Sequence, residues 1–238
     1  MRRMIQPNVR ASFGRLEAEF LLSLAGEGGE SRLREEGVDA LLDDERVFRR
    51  LLRRGELETA PPRLVFYLLV RHSLLSRQLR DRRLADYTAA LLIEFGKQGR
   101  AHQPGDGEER EFHYLADILL ELERARGERE FLLRVHLGNF ALWLAGVFPD
   151  HITHRVRRRG APPLSYYDEL GAAGFRGAAR TGLAAQYGLG DLFVQAADEF
   201  SNLRSALNSL SDALFFPRPK DPVERVLREV GERFQRPR

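Results

Sequence analysis

Apolar positions recur at helical spacing along nearly the whole chain, and no run of alternating β-branched residues is bounded by hairpin turns, so the pattern predicts an all-α protein. Ser12 reads as a cap ahead of the stripe Phe13, Leu16, Phe20, Leu21 and Leu24, which the cluster Gly26, Gly28 and Gly29 closes. A short helix is expected over 31–36. Asp43 or Asp44 then caps a helix with Val47, Phe48, Leu51 and Leu52 on one face, Arg46, Arg49, Arg50, Arg53 and Arg54 around the rest, and Gly55 as its stop. Pro61 and Pro62 fit the first turn of a helix carrying Leu64, Leu68, Val70, Leu74 and Leu75, because a missing amide proton costs nothing there.

Asp81 opens a further helix with Leu84, Tyr87, Leu91, Leu92 and Phe95 turned inward, and 100–107 reads as a loop. Helices over 111–126 and 128–148 follow. The second is apolar on most sides after Leu137, as a central helix surrounded by others should be, and Pro149 ends it. Ser165 caps a helix on which Gly171, Gly174 and Gly177, continued by Ala178 and Gly182, form a stripe of small residues suited to close approach of another helix. Each helical glycine costs about 1 kcal/mol relative to alanine, which such a contact must offset. Asp191 caps a long helix over 192–215. Pro217, Pro219 and Pro222 mark a linker, after which Val223, Val226, Leu227, Val230 and Phe234 draw one apolar stripe. The expectation is a compact multi-helix bundle of about eight or nine helices: a single domain over 1–216, with a linker and an amphipathic helix over 217–238 that docks on its own chain or on a partner.

With 238 residues, 43% of them hydrophobic and 31% charged, the chain is able to bury a sizeable core. It has no cysteine, which excludes disulfides, iron–sulfur clusters, thiolate zinc sites and a cysteine nucleophile. Its first arginines are followed by Asn8, Arg10, Ser12 and Arg15 rather than an apolar core, so no secretory signal is read there. The most apolar stretch, 137–148, is 12 residues long and interrupted by Asn139, whereas a bilayer span needs roughly 20. A cytoplasmic protein with no membrane span is expected.

All but Lys97 and Lys220 of the 38 basic residues are arginine, a bias that GC-rich coding would also produce. The formal net charge is only +3, yet 44–83 carries 11 Arg against 5 acids, and 150–160 carries 4 Arg against Asp150. That asymmetry is the electrostatic hint of an anionic partner.

Candidate chemistry concentrates between His136 and Asp168. His136 and Asn139 share a face of the apolar helix; they make either a satisfied core hydrogen-bond pair or the lining of a ligand pocket, together with Asp150 and His154, which stand four apart. A metal site would draw further ligands from Glu94, Glu121 or the pair His113 and Asp117, but the Glu-x-x-His pair of ferritin-like sites is absent, and no metal or cofactor is assigned. Arg155, Arg157, Arg158 and Arg159 either complement a helix C-terminus or contact phosphate, with Tyr166 and Tyr167 as rings able to stack on bases. Arg49, Arg50 and Arg53 form a second candidate anion surface. No nucleophile elbow, phosphate-cradling loop or dinucleotide fingerprint is present. Three readings result: a helical interaction or regulatory protein that binds another macromolecule or its own copy, a nucleic-acid-binding protein using its arginines, and a metal-dependent or small-molecule-binding bundle enzyme.

Overall fold

The structure is a computed structural model and describes residues 4–53, 55–105 and 110–214, the side chains of residues 157, 159, 213 and 214 excepted. Among these residues 14 α-helices form and no strand does. In chain order they are α1 (Arg15–Ala25), α2 (Gly29–Glu36), α3 (Val38–Leu42), α4 (Glu45–Leu51), α5 (Glu56–Thr59), α6 (Pro62–Leu75), α7 (Arg82–Phe95), α8 (Leu115–Leu122), α9 (Gly127–Val147), α10 (Pro149–Arg159), α11 (Leu164–Ala179), α12 (Gly182–Gln186), α13 (Gly190–Asp198) and α14 (Phe200–Leu214). The expected linker and helix over 217–238 lie outside the described residues.

The count of eight or nine helices is corrected by two effects. Three helices, α3, α5 and α12, are four or five residues long, too short to show an apolar stripe. The helix expected over 192–215 is two: Glu199 leaves helical geometry (φ −98°, ψ 13°), while Phe193, Ala196, Phe200 and Leu203 on either side are all buried, so the apolar period runs through the break unmarked.

Other boundaries follow local hydrogen bonds. Asp44 accepts the amide of Arg46 and Asp81 that of Leu84, each at 2.8 Å, so both act as caps. Ser12 does not cap α1: its hydroxyl donates to the Val9 carbonyl, and the Gly14 amide donates to Glu17 instead. Nor does Ser165, since α11 already begins at Leu164. The helix expected over 111–126 shortens to α8 because Phe112 is held in a loop, its amide donating to the His102 carbonyl at 2.8 Å and its carbonyl 3.1 Å from His102 Nδ1. The helix placed at 128–148 runs over Gly127–Val147, since Phe148 departs to φ −123°, ψ 48°. Among the described residues no single helix is long and apolar enough to cross a membrane.

Helix α9 packs against α7, α8, α10, α11, α12 and α14, and fourteen of its residues are buried. Its closest partner is α11, and missing side chains set the distance. A Cβ on Gly174 would lie 2.8 Å from both the Arg134 carbonyl and the Gly138 amide nitrogen, which are backbone atoms of α9. A Cβ on Gly138 would in turn lie 2.6 Å from the Phe175 ring. The two helices therefore interlock, with Phe175 filling the notch at Gly138. Helix α14 uses the same device: Phe200 covers Gly171, and Leu207 occupies the space at Gly146. Gly182, counted with the stripe by spacing, faces open space and belongs to α12. Around this seam Phe175 stacks on Phe193 (centroids 5.7 Å apart) with Tyr87 edge-on to both.

Several arginines bond other parts of the chain, and Arg71 does so from a buried position. Arg71 is only 2% exposed, makes two hydrogen bonds to Asp43 (2.7 and 3.0 Å) and donates to the Arg80 carbonyl. Arg82 bonds the same carboxylate at 2.7 Å. Burial alone would raise the pKa of Asp43, but the hydrogen bonds and charges of Arg71 and Arg82 outweigh it and hold the carboxyl below its ordinary value. Arg50 donates to the Leu24 carbonyl at the end of α1, Arg77 to that of Ser205, and Arg83 to that of Gly188. Of these carbonyls only that of Leu24 lies in the last turn of its helix; Ser205 is inside α14, and Gly188 and Arg80 lie in loops, so the guanidinium groups tie separate segments together.

Substituting Gly174→Ala forces α9 and α11 apart and is expected to cost about 1–3 kcal/mol, against about 0.5 kcal/mol or less for Gly182→Ala, both read from urea unfolding midpoints. Equal midpoints for the two variants would refute the interlock.

Candidate anion-binding cleft

Helix α9 stops at Val147, and Pro149, which has no amide proton to place, starts α10 at 86° to it. The carbonyls exposed at this corner are satisfied from α14. Asn208 Nδ2 donates to Ala145 and Gly146, and Ser211 Oγ to Val147, all at 2.7 Å. Ile152 buries the inner face of α10, and Gly160 ends the helix in the left-handed region (φ 61°, ψ 28°).

The outer face carries His151, His154, Arg155 and Arg158, spaced i, i+3, i+4 and i+7 and so on one side of the helix. Together with Tyr114 they line an open depression of about 510 Å³. Tyr114 precedes α8 and is 58% exposed, between Phe112 and Leu115, which are buried. Its carbonyl accepts the Asp117 amide at 3.1 Å, which pins the turn. His151, His154 and Arg158 are exposed, and Arg155 is half-buried. Among the described residues no carboxylate lines the depression, and neither Arg155 nor Arg158 has one within 4.0 Å. The arrangement offers two guanidinium forks and two imidazoles to an anion, beside one aromatic face.

The four residues proposed from sequence as a pocket do not share a surface. Asn139 is buried, and its Oδ1 accepts the Tyr87 hydroxyl at 2.8 Å, a core hydrogen bond. Burial raises the pKa of that hydroxyl. His136 is 2% exposed, among the rings of Phe95, Phe112 and Phe140, and its Nε2 has no hydrogen-bond partner among the described residues. Burial first, then the positive charges of Arg100 and Arg129 and the neighbouring His102, push its pKa down to about 3, so the ring is neutral. His154 lies in the depression, and Asp150 stands in the first turn of α10, where an acid complements the helix dipole. Among the described residues no three His, Asp or Glu side chains gather as a metal site would require.

Of the anion candidates, Arg155 and Arg158 enter the depression, while the side chains of Arg157 and Arg159 lie outside the described residues. Tyr166 and Tyr167 are half-buried against the core, edge to face with each other. Arg49 is paired with Glu45 at 2.6 Å, Arg50 is occupied by Leu24, and Arg53 is exposed. Sequence reasoning missed Tyr114, which no local pattern marks, and left His151 out of the candidate set although its spacing from Arg155 and Arg158 was in plain view. Comparisons with protein-family models, curated proteins and solved structures find no match to this chain.

Because the pKa of His136 falls on folding, the unfolded chain binds more protons than the native one between about pH 6.5 and 3, and stability must drop as pH falls through that window. His136→Leu, which places an apolar group where Nε2 has no partner, is expected to hold stability within about 1 kcal/mol at pH 7 and to flatten the acid slope by up to roughly 1.4 kcal/mol per pH unit. Urea midpoints from pH 7 to pH 4 measure it; an unchanged slope would show that His136 is not the group responsible.

Proposed function

We propose that this protein is a helical binding module that takes a phosphate-bearing polyanion in the depression between Tyr114 and α10. The observation carrying this reading is the single helix face that presents His151, His154, Arg155 and Arg158 to one depression with no carboxylate in its described lining. Arg50, Arg71, Arg77, Arg82 and Arg83 already donate to other parts of the chain, which leaves fewer of their donors open to an outside ligand. A guanidinium fork matches two phosphate oxygens, and an array of such groups along a helix suits repeating phosphates better than one isolated anion. The second candidate surface, at Arg49, Arg50 and Arg53, is weaker on the same ground, since two of its three cations already have partners.

Binding of this kind releases counterions, so affinity falls linearly with salt on logarithmic axes. Fluorescence anisotropy of a labelled 20-nucleotide oligodeoxythymidine, measured at 25 and 250 mM salt, is expected to show that fall. Arg155→Glu with Arg158→Glu should weaken binding at least tenfold, whereas Arg49→Glu with Arg53→Glu should change it less than threefold. Absence of binding at 25 mM salt, or equal loss in the two double variants, would overturn the reading.

A further inference from the structure

Tyr114 supplies the feature that a purely electrostatic surface would not need. Among the described residues it is the one phenol ring in a lining whose other rings are the His151 and His154 imidazoles, it is 58% exposed, and it shares the depression with two guanidinium groups. Its backbone is extended (φ −130°, ψ 144°) and is fixed on both sides, by Phe112 and Leu115 in the core and by the Asp117 amide on its own carbonyl. The fixed backbone keeps Tyr114 at the depression, and a tyrosine side chain has only two torsions to order when a base covers it, which favours its use as a stacking platform.

Resting on the reading above, we infer that the polyanion is a single-stranded nucleic acid, whose phosphates lie along His151, His154, Arg155 and Arg158 while one unpaired base stacks on Tyr114. The basic face spans roughly 10 Å of α10, enough for a short run of backbone. The pairing of a phosphate-contacting stripe with an aromatic face is the chemistry that recognises single strands without sequence preference. A duplex is disfavoured because both faces of each of its bases are already covered by neighbours, which leaves Tyr114 with nothing to stack on. A lipid surface is disfavoured because, among the described residues, the lining contains no aliphatic side chain to enter an acyl layer; Leu120 and Phe148, exposed elsewhere, do not line the depression.

The test compares four probes at 25 mM salt with the full chain: oligodeoxythymidine of 20 nucleotides, an abasic strand of the same length, a 20-base-pair duplex, and vesicles containing phosphatidylserine. The parent protein is expected to prefer the thymidine strand over the abasic one by fivefold or more, the increment of one stacked base, and over the duplex as well. Tyr114→Ala should abolish the preference over the abasic strand, and Tyr114→Trp should keep it. Far-ultraviolet circular dichroism of each variant checks that the fold is intact. Equal affinity for thymidine and abasic strands would overturn the inference while leaving the polyanion reading in place, whereas failure to bind either strand would remove both. A preference that survives Tyr114→Ala, or tighter binding to duplex or vesicles than to the single strand, would also overturn it.

Discussion

The close approach of α9 and α11 is the constraint on which the rest of the molecule depends. At Gly174 the backbones come near enough that a methyl group would press on the Arg134 carbonyl and the Gly138 nitrogen. That proximity brings Phe175 into the notch at Gly138 and seats it on Phe193, with Tyr87 against both rings. Tyr87 then reaches Asn139, so the polar group in the middle of an apolar helix has its partner. Helix α14 follows the same rule at Gly146 and Gly171. Once Leu207 is seated, Asn208 and Ser211 fall beside the last carbonyls of α9. Pro149 marks the break in the chain, and the packing supplies Asn208 and Ser211 as donors to the carbonyls opened at the 86° corner into α10.

Where Asn208 and Ser211 serve the end of α9, arginine ties the other short helices and loops to one another. Arg50, Arg71, Arg77 and Arg83 each donate to a main-chain carbonyl, and Arg71 and Arg82 converge on Asp43. A guanidinium has five donors and remains charged, so one side chain is able to serve a carboxylate and a carbonyl together, as Arg71 does. Buried pairs of this kind add little net stability over apolar packing, but losing one partner leaves an uncompensated charge, so they fix which helices are neighbours. Over 44–83, Arg71 and Arg82 share the charge of Asp43, while Arg50, Arg77 and Arg83 are held by carbonyls that leave their charge uncancelled. The depression at α10 stands out because the described carboxylates do not enter it.

His136 shows the opposite treatment of a polar group. Enclosed by Phe95, Phe112 and Phe140, with Nε2 unpartnered and with positive charge nearby, it is held neutral and makes the native state sensitive to acid. Its neighbour three residues on has a hydrogen bond and no such cost. Two polar residues on one helical face thus met different surroundings, and the face they share did not make them a common site.

By itself the sequence determined the helical class, because the spacing of apolar side chains reports which surfaces must leave water. It also marked the cap at Asp81, narrowed that of α4 to Asp43 or Asp44, and showed the small-residue stripe at Gly171 and Gly174, since these depend on residues within a turn or on the plain absence of a side chain, although the caps expected at Ser12 and Ser165 did not form. The basic face of α10 was legible as well, in the spacing of His151, His154, Arg155 and Arg158. Tertiary structure alone decided that Tyr114 shares the depression with that face, that Asn139 meets Tyr87 52 positions away, and which arginines donate to carbonyls far away in the chain. Those pairings depend on which helices become neighbours, and that choice is made by many weak contacts acting over the whole core, so no short stretch of chain encodes it.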